Sequence, residues 1–340
     1  MAGKKKKQVK DELCRLDSVL DKFNKATGSV CEITLLNSGS QIKTIPVIPS
    51  GILSLDYILG VGGFPHGRII EVYGLESSGK TTVTLHALAS CQKNGGIGAF
   101  VDAEHALDIK YASNLGVDVN KLLFIQPDSG EQALNSVEQL AKLLSHGDMI
   151  VVDSVAALVP KAEIDGEVGD THMGLQARMM SQALRKLATV VSNSGVTVIF
   201  INQIRNKIGV IYGSNETTTG GNALKFYSTQ RVEVRRGTLV KQSDEVVGCE
   251  VRLKVVKNKV APPLREAKPE MRYGQGIVRA LEVLNYSVHF GFLEKKGAWY
   301  YYQGQALGQG VERAYTALSE NSELLNYLEV EVLKNLFPTR

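Results

Sequence analysis

Between residues 68 and 203 the chain alternates short, almost wholly apolar runs with longer amphipathic stretches. The apolar runs fall at 68–73, 97–104, 122–126, 149–153 and 196–203, and helical periodicity occupies 82–93, 130–145 and 174–194. Strand and helix in strict alternation predict a mostly parallel sheet covered on both faces by helices. From Phe226 the pattern changes. Residues 230–236 and 248–260 read as strands with no helix between them, extending the same sheet. A break near 273–276 opens a last section of mixed character, with Trp299 in a tyrosine-rich strand and helices at 312–319 and 323–336. At the other end, Val9, Leu13, Leu16, Leu20 and Phe23 recur at steps of four and three. They predict a helix over 8–27 with one apolar stripe, stopped by Gly28 and followed by a linker to Pro49. The fold class is therefore α/β, divided into an N-terminal helix and linker (1–48), a core (49–276) and a small C-terminal α+β domain (277–340).

Composition narrows the class. A hydrophobic content of 44% with 22% charge is that of a soluble globular protein, and no apolar run reaches the length of a membrane span. The N-terminus lacks the apolar segment of a secretory signal. Four scattered cysteines without a C-x-x-C suit a reducing cytoplasm and exclude a cysteine-held zinc. The net charge of +4 conceals an uneven distribution: residues 172–265 hold 15 Lys/Arg against 5 Asp/Glu. Basic charge concentrated in that stretch suits a polyanion.

Candidate chemistry sits at the ends of the apolar runs, where open α/β sheets place their ligands. After the first run, Gly74-Leu75-Glu76-Ser77-Ser78-Gly79-Lys80-Thr81 spells G-x-x-x-x-G-K-[ST], with Thr82 opening the helix. Strand, glycine-rich turn and helix in that order mark a phosphate-binding loop. Backbone N–H groups and a helix N-terminus cradle the phosphates, Lys80 reaches the β- and γ-phosphates, and the Thr81 hydroxyl holds Mg²⁺. The run 149–153 ends in Asp153, a second Mg²⁺ ligand. The run 97–104 ends in Glu104, placed to orient or deprotonate the attacking water, with Asp102 as its rival. The run 196–203 ends in Gln203, whose amide can bond the γ-phosphate. Sixteen residues without periodicity follow (204–219), and Arg205, Lys207 and Tyr212 give them a composition suited to single-stranded nucleic acid. Arg178 and Arg185, seven apart, share one helix face.

Taken together, the segments 74–81, 101–108, 151–158, 200–205, 217–226 and 255–259 resemble the bacterial RecA family of recombinases, and the likeness runs from about residue 48 to 310. The resemblance implies a DNA-dependent ATPase using ATP and Mg²⁺. It implies helical filaments on single-stranded DNA, pairing with homologous double-stranded DNA, and promoted self-cleavage of SOS-type repressors. It assigns water activation to Glu104, adenine contacts to Asp108 and Tyr111, and the switch amide to Gln203. It assigns to Lys257 and Lys259 a reach across the protomer boundary to a neighbour's ATP. Met173, Arg178, Ser181, Arg185, Lys207, Ile208, Gly220, Gly221 and Asn222 fall where the family grips the DNA backbone. The first helix is similar to the segment that packs on the adjacent protomer. Leu75 and Ile109 stand where the family usually has proline, and Tyr212 where it usually has phenylalanine. The run Lys4–Lys7 is unusual, and the final residues lack the acidic tail of many relatives.

Overall fold

In a computed structural model of the chain, residues 16–26, 45–167, 174–206, 216–242 and 244–338 are described. Residues 1–45 and 46–340 form separate units. In the first, residues 16–26 are helical (α1); of the expected stripe, Leu16 and Phe23 are exposed and Leu20 is half-buried. The rest of that predicted helix lies outside the described residues.

The second unit opens with β1 (Val47–Ile48), α2 (Leu53–Leu59) and β2 (Phe64–Pro65). It continues with β3 (Ile69–Gly74), α3 (Lys80–Lys93), β4 (Gly98–Asp102), α4 (Ile109–Asn114), β5 (Leu123–Ile125), α5 (Gly130–Leu143) and β6 (Met149–Asp153). Next come α6 (Lys161–Ile164), α7 (Leu175–Ser194), β7 (Thr197–Asn206), β8 (Glu216–Thr218), α8 (Ala223–Tyr227), β9 (Gln230–Gln242) and β10 (Glu245–Asn258). Short strands β11 (Glu266–Ala267), β12 (Glu270–Arg272) and β13 (Gly276–Ile277) complete the large sheet. The chain closes with α9 (Arg279–His289), β14 (Glu294–Lys296), β15 (Trp299–Tyr302), β16 (Gln305–Gln309), α10 (Val311–Glu320) and α11 (Ser322–Leu336).

The large sheet runs β13-β12-β10-β9-β3-β7-β6-β4-β5. From β9 to β5 every neighbouring pair is parallel; β10, β12 and β13 add an antiparallel flank. The expected mostly parallel sheet is present, and its cause is visible in burial. Strands β3, β4 and β6 are buried at every position, as strands covered on both faces must be. Strand β9 instead alternates buried and half-buried positions over its first six residues. One face of the sheet is covered by α3 and the other by α5 and α7, giving two apolar clusters. Helix α7 contributes Met180, Leu184, Leu187 and Val191, all on one stripe, each worth roughly 1.5–3 kcal/mol of burial. A third cluster joins α9, α10, α11 and Tyr300, and Leu53 of α2 belongs to it.

Three details differ from the sequence expectation. Strand β4 stops at Asp102 rather than Glu104: the backbone N–H groups of Ala103 and Glu104 both turn to the carbonyl of Asp153, and His105 takes a positive φ of 54°. Strand β7 runs three residues past Gln203 and pairs antiparallel with β8, Ile204 opposite Thr218. Part of the stretch that reads as aperiodic is thus an ordered two-stranded stem, in which Ile204 alone carries an apolar signal. Helix α9 is the third difference, a helix the sequence pattern does not predict, although Ala280, Leu281, Val283 and Leu284 are buried along it.

Candidate nucleotide and DNA site

The parallel register brings four strand ends together. Gly74 pairs with Gln203 across β3 and β7, and Asp102 with Asp153 across β4 and β6, with β7 and β6 adjacent. Groups separated by more than a hundred residues in sequence therefore share one sheet edge.

The turn after β3 is walled closely. A Cβ on Gly74 would lie 2.1 Å from the carbonyl oxygen of Val234 and 2.8 Å from Ser78 Oγ, so only glycine fits. Gly79 takes a φ of +94°, open to glycine and strained for other residues. Lys80 then opens α3, and its Nζ donates to the Leu75 carbonyl at 2.7 Å across the loop's span. Burial pulls the Lys80 pKa down, while Asp153, Glu104 and Glu76 push it back up. The Thr81 hydroxyl donates to Asp153 Oδ2 at 2.8 Å. Burial raises the Asp153 carboxyl to about 6 against that hydrogen bond. Ser78 Oγ is buried and has no hydrogen-bond partner among the described residues. An orphaned hydroxyl, a glycine-walled loop at a helix start, and a hydroxyl–carboxylate pair of hard oxygens fit a nucleoside triphosphate with Mg²⁺. Thr81 and Asp153 are the residues that would hold the metal.

Glu104 lies beside this loop, exposed. Its Oε1 accepts hydrogen bonds from the Ser154 hydroxyl and, at 3.1 Å, from Gln203 Nε2. Asp102, its rival, is buried and occupied: it accepts from the backbone N–H groups of Ala106 and Leu107 and from Gln126 Nε2, each at 3.3 Å. That role is bracing the turn. Asp108 Oδ1 caps α4 by accepting from Tyr111 N at 3.0 Å, and Tyr111 Oη lies 2.9 Å from Thr82 Oγ1. Ile109, the first residue of α4, is 63% exposed, so a residue other than proline is accommodated there without packing cost.

On β10, Lys257 Nζ donates to the carbonyls of Lys225 and Phe226, the latter at 3.1 Å, and just past the strand Lys259 Nζ donates to the Phe226 carbonyl at 3.4 Å. Both lysines cap the C-terminal turn of α8, where cations complement the helix dipole. Phe226 itself is 73% exposed.

The expected DNA contacts divide by placement. Arg178 and Arg185 are exposed on α7, opposite its buried stripe. Ser181 lies between them, its hydroxyl donating to the Ala177 carbonyl at 2.8 Å. Gly220 and Gly221 take φ of +76° and +78°, and a Cβ on either would come within 2.8 Å of Val155 or Ala177. Asn222 precedes α8 and accepts from Lys225 Nζ at 3.3 Å. Arg205 is exposed on β7, opposite Thr217. Met173, Lys207, Ile208 and Tyr212 lie outside the described residues. Sequence reasoning missed three groups that the geometry brings in: Ser154, Asn202 and Glu71. The last carried a signal, as a lone charge inside an apolar strand.

A family model for the RecA N-terminal domain matches residues 14–278, and one for the RecA C-terminal domain matches 281–336. The chain belongs to the RecA family. It is 54% identical over 326 residues to Protein RecA of Francisella tularensis subsp. novicida (strain U112), covering 96% of this chain and 90% of that protein. The same figures hold for Protein RecA of subsp. tularensis (strain SCHU S4 / Schu 4) and of subsp. holarctica (strain LVS). As a RecA-family protein it is a DNA-dependent ATPase of homologous recombination and repair, using ATP and Mg²⁺. It forms filaments on single-stranded DNA, pairs them with double-stranded DNA, and acts on SOS-type repressors. No helix among the described residues is long and apolar enough to cross a membrane.

Proposed function

We propose that strand exchange in this protein is governed by one shared contact at the sheet edge, the 3.1 Å hydrogen bond from Gln203 Nε2 to Glu104 Oε1. Glu104 is the base that orients the attacking water. Gln203 senses the terminal phosphate from the start of the stem that leads into the DNA loop. When the Gln203 amide turns to phosphate it releases Glu104 for catalysis and shifts the stem, so nucleotide state and DNA grip change together. By linkage, if ATP tightens DNA binding, DNA tightens ATP binding by the same factor.

Around this contact, the backbone of residues 74–79 cradles phosphate and Lys80 neutralises it. Asp108 and Tyr111 border the adenine. Mg²⁺, which Thr81 and Asp153 would hold, would supply charge neutralisation on the phosphates. Lys257 and Lys259 serve the ATP of a neighbouring protomer, which makes filament geometry sensitive to nucleotide; a head-to-tail contact whose rotation does not close gives an open helix. Arg178, Ser181, Arg185, Arg205 and residues 220–222, with Met173, Lys207, Ile208 and Tyr212, hold the DNA backbone. Contacts of that kind carry little sequence preference. The organisation we favour is a protomer-packing arm (1–48), an ATPase and DNA-binding core (49–276) and a C-terminal domain (277–340), in a protein of the cytoplasm.

The decisive experiment is Glu104→Gln. Turnover is expected to fall by roughly 10²–10⁴-fold while ATP-supported filaments persist in negative-stain micrographs. Undiminished turnover would remove Glu104 from its role.

A further inference from the structure

Glu71 is the only charged residue in β3, and none of its surface is exposed. A buried carboxylate survives only when its oxygens are paired. Here Oε2 accepts from Arg231 Nε on β9, and Oε1 accepts from Asn202 Nδ2 on β7 at 2.9 Å. Arg231 is fixed in turn by lying over the Tyr73 ring, 4.5 Å from its centroid.

Asn202 is equally buried and its amide is saturated. Besides donating to Glu71, Nδ2 donates to the Thr219 carbonyl at 3.1 Å. Oδ1 accepts from the Gln203 backbone N–H at 2.9 Å and from the Thr219 hydroxyl at 2.5 Å. Two donors and two acceptor sites are all an asparagine offers, and all are used. One side chain thus holds both sides of the stem's base: Gln203 on β7, just before the stem, and Thr219, just after β8. The returning strand has a second tether at its other end, since Arg235 of β9 pairs with Glu216 and, at 2.8 Å, with Glu233.

A fully satisfied buried network has one geometry, because any displacement strands a polar group. Glu71 sits three residues before Gly74, in the strand that feeds the phosphate loop. A shift of β3 against β7 is therefore passed to Asn202 and on to Thr219 without passing through the Gln203 side chain.

We propose that Glu71, Asn202 and Thr219 form a positioning relay that couples the phosphate-loop strand to the closing end of the DNA loop, in parallel with the Gln203 amide. This rests on the reading of residues 204–219 as the DNA-contacting segment.

The test is the nucleotide dependence of DNA affinity in the full chain. Anisotropy of a labelled oligo-dT is titrated with and without a non-hydrolysable ATP analogue and Mg²⁺, at fixed salt. Thr219→Val removes the hydroxyl at constant shape, and Thr219→Ser retains it. The ratio of the two affinities is expected to fall by about fivefold or more in Thr219→Val and to recover in Thr219→Ser. Glu71→Gln, checked for folding by thermal melt, is expected to lower the same ratio, because its NH2 group replaces one carboxylate oxygen and faces a donor, Arg231 Nε or Asn202 Nδ2. A ratio in Thr219→Val within about twofold of the unaltered protein overturns the relay, as does equal weakening with and without nucleotide. Photocrosslinking of the oligonucleotide to residues 204–219 of the unaltered protein separates the two premises. Absent crosslinks bring down the segment's assignment and the relay with it; crosslinks with an unchanged ratio bring down the relay alone. Neither readout depends on hydrolysis, so the role of Glu104 is judged independently.

Discussion

At the carboxyl ends of β3, β4, β6 and β7, the polar side chains are already held by one another: Lys80 by Leu75, Thr81 by Asp153, Gln203 by Glu104. On α7, Arg178 and Arg185 are exposed and make no ion pair with any described residue. The two regions are thus built on different principles. The nucleotide edge uses packing and burial for preorganisation, which chemistry at a single phosphate demands. The helix face leaves long cations solvated, which suits a polymer whose phosphates can be met in any register. The first kind of site is brittle, and the second degrades gradually.

That contrast can be broken at several points. The Glu104→Gln loss of turnover is the largest effect expected. Next comes Gly74→Ala, whose Cβ would meet the Val234 carbonyl at 2.1 Å. Affinity for a fluorescent ATP analogue should fall by about 100-fold, or roughly 3 kcal/mol. An unchanged affinity would show that the loop yields and that the edge is not rigidly walled. Gln203→Asn shortens the amide out of reach of Glu104. DNA stimulation of turnover is expected to fall by about tenfold with basal turnover retained, within the usual range of coupling energies. Steady-state rates with and without oligo-dT would reveal it, and full stimulation would uncouple Gln203 from the loop.

On the helix face the expectation is milder. Arg178→Ala should weaken single-strand binding several-fold and equally for all sequences, flattening the salt slope by about 0.7 for each phosphate left without its cation. A weakening confined to particular sequences would mean that bases are read there. The remaining expectation concerns stability. Burial and the nearby Arg279 guanidinium lower His86 to about 4, and its Nε2 accepts the Ile277 N–H at 2.9 Å. The fold therefore favours neutral His86. Its contribution is full above about pH 6.5 and is lost as pH falls toward 4, about 3 kcal/mol at the limit. Asp56, raised to about 7 by burial, acts in the opposite sense over the same range, so the difference between unaltered protein and His86→Gln is the quantity to follow in urea melts. Identical pH slopes would rule His86 out.

The nucleotide site was legible in the chain because its chemistry is local: glycines, lysine and hydroxyl sit within eight residues, and each apolar run carries its functional group at its end. The parallel core was legible for a related reason, since strands buried on both faces must be apolar throughout. Asn202 and Thr219 gave no comparable signal, as an asparagine at a strand end and a threonine in a polar stretch are ordinary there. The extension of β7 into a stem with β8 was likewise hidden, because backbone pairing between polar strands leaves little trace in hydrophobic periodicity.

By itself, then, the order of residues determined the phosphate loop, the sheet's parallel character and the face that α7 presents, all of which follow from periodicity and nearest-neighbour chemistry. Only the tertiary structure buried Asp102 in a turn, set Glu104 beside Ser154 and Gln203, and closed the loop base on Asn202. Those outcomes depend on strand register and on which buried groups find partners, and such pairings link residues 99 positions apart (Gln203 and Glu104) or 131 (Asn202 and Glu71), beyond the reach of any local pattern.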